Sequence, residues 1–236
     1  MKEYKNYFFD LYGTLVDIHT DEEDALLWKR MSVLLAMHGA RFTAEALKEK
    51  YASEIAQREA QARKDRGTGA EIDIAPVFAA FFAESGVAAD DEMIARLAQT
   101  FRILSLEKLQ LFPGAVEMLQ RLHQQGKGVY LVSNAQALFT LPELKALNLE
   151  QYFDGIVISS CEGIKKPDSR IYHLTLRRYG LDPKQTVMVG NDDWADCWGA
   201  CRAGLDSMYV CTEQSPERTA PLPENCSILE RIAQVF

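Results

Sequence analysis

No apolar run in the 236-residue chain approaches the roughly 18 residues that would cross a bilayer, so no transmembrane helix is expected. Ahead of Asp10 the only apolar stretch is Tyr7-Phe8-Phe9, too short for a secretory signal, and a cytoplasmic location is expected. Cysteine is scarce: Cys161, Cys197, Cys201, Cys211 and Cys226 are odd in number, and none forms a C-x-x-C pair. Cys197 and Cys201 would share a helix face, but small buried hydrophobes in a reducing compartment is the preferred reading over a metal or redox pair. Basic charge is in deficit, with 26 Lys and Arg against 34 Asp and Glu and a net charge of −8. Counterion release needs basic patches, so a general nucleic-acid or anionic-membrane binder is excluded, although a local cationic pocket is not. Internal repeats and low-complexity segments are absent too. What remains is a globular composition, 47% hydrophobic and 25% charged.

At roughly 150 residues per domain the length corresponds to about 1.6 domains. Tyr7-Phe8-Phe9, ending at Asp10 and Gly13, predicts a buried strand and a sharp turn. The rhythm then becomes helical. Thr20-Asp21-Glu22-Glu23 reads as a capping box, followed by Leu27, Met31, Leu34 and His38 at helical spacing. Thr43 can cap a second helix carrying Leu47, Tyr51 and Ile55. A third carries Val77, Phe78, Phe81 and Phe82, and a fourth Met93, Ile94, Leu97, Phe101 and Leu104. Residues 16–109 therefore predict an all-helical unit of four helices and no strand. After Pro113-Gly114, short apolar strands near 129–132, 156–159, 187–189 and 208–210 alternate with helices, the pattern of a parallel sheet covered on both faces. Residues 215–225, with three prolines, predict an irregular surface segment before a short C-terminal helix. The expected architecture is an α/β core with a Rossmann-like parallel sheet, residues 1–15 and 110–236, interrupted by a helical domain.

In open parallel sheets, ligands bind outside the carboxyl ends of the strands. The notable polar residues fall there: Asp10 after the first strand, Ser133-Asn134 after the second, Lys165-Lys166-Pro167 after the third, and Asn191-Asp192-Asp193 after the fourth. Together they predict one convergent site with at least three carboxylates and a lysine.

The segments Asp10-Leu11-Tyr12-Gly13-Thr14-Leu15-Val16-Asp17, Leu131-Val132-Ser133-Asn134, Lys166-Pro167-Asp168-Ser169-Arg170-Ile171-Tyr172 and Val189-Gly190-Asn191-Asp192-Asp193-Trp194-Ala195-Asp196-Cys197-Trp198-Gly199-Ala200 resemble the four ordered motifs of the haloacid dehalogenase superfamily. The helical insertion is similar to that family's small cap domain. The resemblance implies that Asp10 is a nucleophile forming an aspartyl intermediate that water hydrolyses. It implies that Ser133 and Asn134 hold the anionic group of a small-molecule substrate, and that Lys166, rather than Lys165, offsets charge on Asp10 and the transferring group. Mg²⁺ is the implied cofactor, with Asp10, the Tyr12 carbonyl, Asp192 and Asp196 as ligands.

Two departures from the phosphatase pattern point in opposite directions. Two positions after the nucleophile, phosphatases of the family usually carry a second Asp, which protonates the leaving alkoxide. Here Tyr12 stands in its place, as in the 2-haloacid dehalogenase branch, where halide needs no proton. As a catalytic donor, a phenol with a pKa near 10 is poorly matched to neutral pH. The fourth motif has Asn191 after the glycine, yet Asp192, Asp193 and Asp196 follow, and such a cluster needs a compensating cation. The cluster outweighs the tyrosine, so a Mg²⁺-dependent phosphatase of a small metabolite is expected over a metal-free 2-haloacid dehalogenase. A phosphometabolite-binding protein without turnover is the alternative of another class. Asp192 or Asp193 capping the next helix is the plainer reading for one of that pair. Trp28, Lys29, Arg30, His38, Arg58 and Arg63 of the helical unit could meet substrate, but ordinary helix faces explain each. Trp194 and Trp198 are expected to pack their helix.

Overall fold

The computed structural model describes residues 2–218 and 220–235. In chain order the elements are β1 (Asn6–Phe9), β2 (Val16–Thr20), α1 (Ala25–Met37), α2 (Ala44–Arg66), α3 (Ala75–Glu84), α4 (Asp91–Ser105) and β3 (Leu106–Leu111). There follow α5 (Ala115–Gln124), β4 (Gly128–Ser133), α6 (Ala137–Ala146), β5 (Gly155–Ile158), α7 (Ser159–Glu162), α8 (Ser169–Tyr179) and β6 (Thr186–Gly190). A π-helical turn (Asp193–Trp198), α9 (Gly199–Arg202), β7 (Asp206–Val210) and β8 (Cys226–Leu229) complete the series. Six strands form a parallel sheet in the order β5-β4-β1-β6-β7-β8. β1 lies at its centre, with Phe9 opposite Leu131 of β4 on one side and Val189 of β6 on the other. That register puts the residues following all three strands at one edge.

The aromatic run of β1 works on both faces. Tyr7 and Phe9 pack with Leu131, Val189 and the α5 residues Met118, Leu119 and Leu122. Phe8 turns the other way, against Val132, Met188 and the α8 residues Ile171 and Tyr172. Phe8 and Phe9 are fully buried, and each such side chain contributes about 2 kcal/mol of transfer free energy. A third apolar cluster lies within α1–α4, where Leu27, Met31, Val77, Phe78, Phe82 and Phe101 form a core of their own. Phe139 of α6 joins this cluster and ties the cap to the α/β core.

The expectation of no strand between 16 and 109 is corrected. Val16–Thr20 pairs antiparallel with Leu106–Leu111, Val16 opposite Leu111 and Thr20 opposite Leu106. This two-stranded ribbon brings the two ends of the helical insertion side by side. The Val-Asp-Ile-His-Thr alternation carries the period-2 signal of a strand, but the acidic run behind it imitates a helix start. The cap of α1 is accordingly Asp24, whose carboxylate accepts from Leu26 N, and not Thr20. Thr43 does cap α2, accepting from Ala46 N at 3.2 Å. The expected C-terminal helix is replaced by the edge strand β8 and a single 3₁₀ turn, Ile232–Gln234. Of the pair read as buried hydrophobes, Cys197 is buried and Cys201 only partly so, while Cys161 and Cys211 are exposed. Among the described residues no helix is long and apolar enough to cross a membrane.

Candidate active site

A cavity of about 200 Å³ opens at the carboxyl edge of the sheet. Asp10, Tyr12, Ser133, Asn134, Lys166, Asp192 and Asp196 all line it, joined by Asn191, Ala195, Gln214 and Pro216. Lys166 is the centre of charge. Its Nζ lies 2.7 Å from Asp10 Oδ1 and 2.7 Å from Asp196 Oδ1, with the side chain almost fully buried. Burial works against its charge, but the two carboxylates outweigh that and hold its pKa above the ordinary value, so it is an ammonium throughout the neutral range. Lys165 instead faces Glu71 at 3.6 Å. The loop is fixed by a reciprocal pair, Asn134 Nδ2 donating to Lys166 O at 2.9 Å and Lys166 N donating to Asn134 Oδ1 at 2.8 Å. The side chain of Asn134 is therefore part of the frame of the lysine loop.

Ser133, the last residue of β4, is the open valence of the site. Its hydroxyl oxygen is buried without a hydrogen-bond partner, on a residue 1% exposed. A buried, unpaired hydroxyl costs free energy unless something arrives to bond it. Ser133 and Lys166 line the same cavity.

The fourth motif is built around close approaches. A Cβ on Gly190 would fall 2.1 Å from Asp196 Oδ2, so only glycine admits the carboxylate there. Asp196 Oδ2 accepts from Asp192 N at 3.0 Å while Oδ1 takes Lys166. Burial raises the Asp196 pKa, with Lys166 opposing the shift. Both oxygens of Asp196, expected as a direct metal ligand, are thus engaged by protein donors, and the residue is 0% exposed. The helix expected from Trp194 begins instead as the wide π turn, braced by Tyr172 Oη donating to Ala195 O at 2.6 Å. Asp192 caps this turn through Oδ1, which accepts from Trp194 N and Ala195 N at 2.9 and 2.7 Å. Asp193 is buried but does not line the cavity. Trp194 is exposed beneath Arg202, 4.4 Å from its ring centroid, rather than packed in a core, while Trp198 bonds Pro221 O.

Asn191 finds a structural use. Its Oδ1 accepts from Thr14 Oγ1 at 3.2 Å and its Nδ2 donates to Gln214 O at 3.2 Å. It packs against Gly13, where φ is +77° and an added Cβ would fall 2.3 Å from Asn191 Nδ2, so both features call for glycine. Gln214, just ahead of the segment read as irregular surface, closes one wall of the cavity together with Pro216 of that segment. Its Nε2 donates to Asp17 Oδ1 at 2.7 Å and Ile18 O at 2.6 Å, linking the site to β2. A glutamine just ahead of a proline-rich stretch gives no sequence signal of such a role.

The Tyr12 hydroxyl does not serve Asp10. It donates to Glu143 and lies 3.0 Å from Thr140 Oγ1, both on α6. Burial, reinforced by the Glu143 carboxylate, pushes its pKa well above the ordinary phenol value. The Tyr12 hydroxyl, expected as a proton donor, is thus engaged with Glu143 and Thr140. None of Trp28, Lys29, Arg30, His38, Arg58 and Arg63 lines this cavity.

Among the described residues no group of three or more His, Cys, Asp or Glu side chains is arranged to hold a metal ion. Mg²⁺ asks for less, because it typically takes one or two carboxylates and completes its shell with carbonyl oxygen, water and substrate phosphate. Asp10, Asp192 and Tyr12 line one cavity and offer carboxylate and carbonyl oxygens of that kind.

Comparison with known families matches residues 4–204 to the haloacid dehalogenase-like hydrolases. The chain is similar to a glyceraldehyde 3-phosphate phosphatase of Methanothermobacter thermautotrophicus, 29% identical over 58% of this chain and 62% of that protein. It is also similar to (S)-2-haloacid dehalogenase 4A of Burkholderia cepacia, 29% identical over 56% of this chain and 58% of that one. The matches thus span about 60% of the length of these relatives. Among solved structures, a 2-haloacid dehalogenase from Pseudomonas syringae pv. Tomato shares the fold with a TM-score of 0.65 at 20% identity, covering 98% of this chain and 96% of that chain.

Proposed function

We propose that this chain, which belongs to the haloacid dehalogenase-like hydrolases, is a Mg²⁺-dependent phosphatase of a small phosphorylated metabolite, acting through Asp10. The observation that carries the reading is the charge of the cavity: three carboxylates, Asp10, Asp192 and Asp196, line it with the single cation Lys166, which pairs with Asp10 and Asp196. A phosphate entering such a cavity meets net repulsion unless a further cation accompanies it. When bound, Mg²⁺ supplies that charge, with Asp10, Asp192 and the Tyr12 carbonyl as its protein oxygens and Asp196 as the residue that positions Lys166.

Asp10 attacks phosphorus, the phosphorus–oxygen bond to the leaving group breaks, and the leaving group departs with that electron pair. Water then attacks the aspartyl phosphate, releasing phosphate and restoring the carboxylate. Lys166 holds Asp10 in orientation and stabilises charge on the equatorial phosphate oxygens. The Ser133 hydroxyl gains in the bound phosphate the partner it lacks, and the Asn134 N–H aids it.

A second reading, 2-haloacid hydrolysis by the same nucleophile, is favoured by one observation: the Tyr12 hydroxyl is committed to Glu143, so it protonates no leaving group. Parallel assays of p-nitrophenyl phosphate, acetyl phosphate and 2-chloropropionate, with Mg²⁺ and with EDTA, separate the two. Mg²⁺-dependent phosphate release is expected. Halide release that survives EDTA overturns the phosphatase reading, and turnover of none, with tight phosphate-ester binding, supports a binding protein instead.

A further inference from the structure

One buried charged cluster touches the catalytic cavity through Tyr12 and spans three separate elements. Arg102 sits near the end of the cap helix α4, Glu143 and Thr140 on the core helix α6, and Tyr12 on the loop two residues after the nucleophile. Arg102 Nε donates to Glu143 Oε1 at 2.6 Å, with side chains only 15% and 8% exposed. The other oxygen of Glu143 accepts from the Tyr12 hydroxyl, which also meets Thr140. The guanidinium lies 5.8 Å from the ring centroid of Tyr12 and 5.3 Å from that of Phe139, within reach of both π faces. The cluster therefore joins cap, core and catalytic loop through one carboxylate.

We propose that the Arg102–Glu143–Tyr12 cluster is a latch that couples the seating of the cap to the position of the nucleophile's loop. Arg102 and Glu143 then act as positioning residues for a site whose cavity they do not line. The cap reaches the core at other points too: the β2–β3 ribbon, and the segment at 69–74, where Glu71 meets Ser159 and Lys165. The Arg102 contact leads through Glu143 to Tyr12, on the loop that carries Asp10. A cap displaced at α4 draws Glu143 away from Tyr12, and Tyr12 and Asp10 are separated by the single residue Leu11. Nothing local in the sequence marks the arrangement, since Tyr12 and Glu143 are 131 residues apart.

Removing one partner of a buried pair leaves the other unpaired and can unfold a protein, whereas replacing both with apolar residues of similar volume generally preserves the fold. The decisive variant is therefore the double substitution Arg102→Met with Glu143→Leu, accompanied by Tyr12→Phe and by the triple combination. The readouts are thermal melting, kcat and KM on p-nitrophenyl phosphate with Mg²⁺, and hydrogen exchange of the amides of residues 13–16. The expected result is a kcat lower by roughly 10- to 100-fold with KM less affected, faster exchange at 13–16, and little change in melting. The triple variant should lose no more than the double, because all three residues act through one contact. A double variant with wild-type kcat and wild-type exchange at 13–16 overturns the latch, as does exchange that rises only in proportion to a lowered melting temperature. The kinetic part rests on the phosphatase reading, but the exchange part does not. A wild-type protein that hydrolyses no phosphate would therefore defeat that reading and leave the latch to be decided by exchange alone.

Discussion

Two buried ion clusters bracket the loop after β1, and they are built on opposite plans. Lys166 with Asp10 and Asp196 lies wholly within the α/β core, each member placed at or just beyond a strand end or by a loop locked to its neighbours. Arg102 with Glu143 and Tyr12 crosses between two folding units and depends on how the cap is seated. In the first, precise charge placement follows from sheet register, as preorganised chemistry requires. In the second, the same kind of pairing makes the first cluster's geometry responsive to the cap. The comparison teaches that an ion pair's role is read from what its elements can do relative to one another, not from its burial or distance.

Substitutions that break the inner cluster should have the largest effects. Asp10→Asn keeps the shape and the contact with Lys166 but removes the nucleophile. Turnover should fall by at least about 10⁴-fold, measured by phosphate release, with the melting temperature retained. Lys166→Met strands Asp196 as a buried carboxylate without its cation. Unfolding in urea should show a loss of about 3–5 kcal/mol at neutral pH, together with loss of turnover. Full stability in that variant would mean that Asp196 is satisfied without the lysine. Ser133→Ala removes the unpaired hydroxyl, so stability should hold or rise slightly while kcat/KM drops by an amount equivalent to about 1.5–3 kcal/mol. A fall in stability instead would make Ser133 a structural residue. Smallest of the four, Gln214→Ala releases the wall that bridges β2 and Asn191. It should cost about 1 kcal/mol and raise KM more than it lowers kcat, which steady-state kinetics would show.

The inner cluster was legible in the sequence because its members stand at or shortly after the ends of apolar strands. Asp10, Ser133, Asn134, Lys166 and Asp192 could be placed at one edge from that pattern and Asp196 from the resemblance of the fourth motif, and all six line one cavity. Their finer roles were not legible. Whether Asp196 faces a metal or a lysine depends on the π turn and on the 2.1 Å approach to Gly190, which no periodicity encodes. The ribbon β2–β3 was hidden by an acidic stretch resembling a helix start, and β8 by the prolines before it. The outer cluster had no local signature at all. Tyr12 looked like a substitute for a missing acid, and its partners Thr140, Glu143 and Arg102 become visible only once cap and core are packed.

The central claim is that Asp10 itself carries the phosphoryl group during turnover. The most direct measurement is borohydride trapping during hydrolysis of p-nitrophenyl phosphate, since borohydride reduces an aspartyl phosphate to homoserine, followed by mass spectrometry of the peptide containing residue 10. With Mg²⁺ present, homoserine is predicted at position 10, and none in its absence or in Asp10→Asn. Sustained hydrolysis with Asp10 unmodified by the trap, or homoserine at another aspartate, would contradict it.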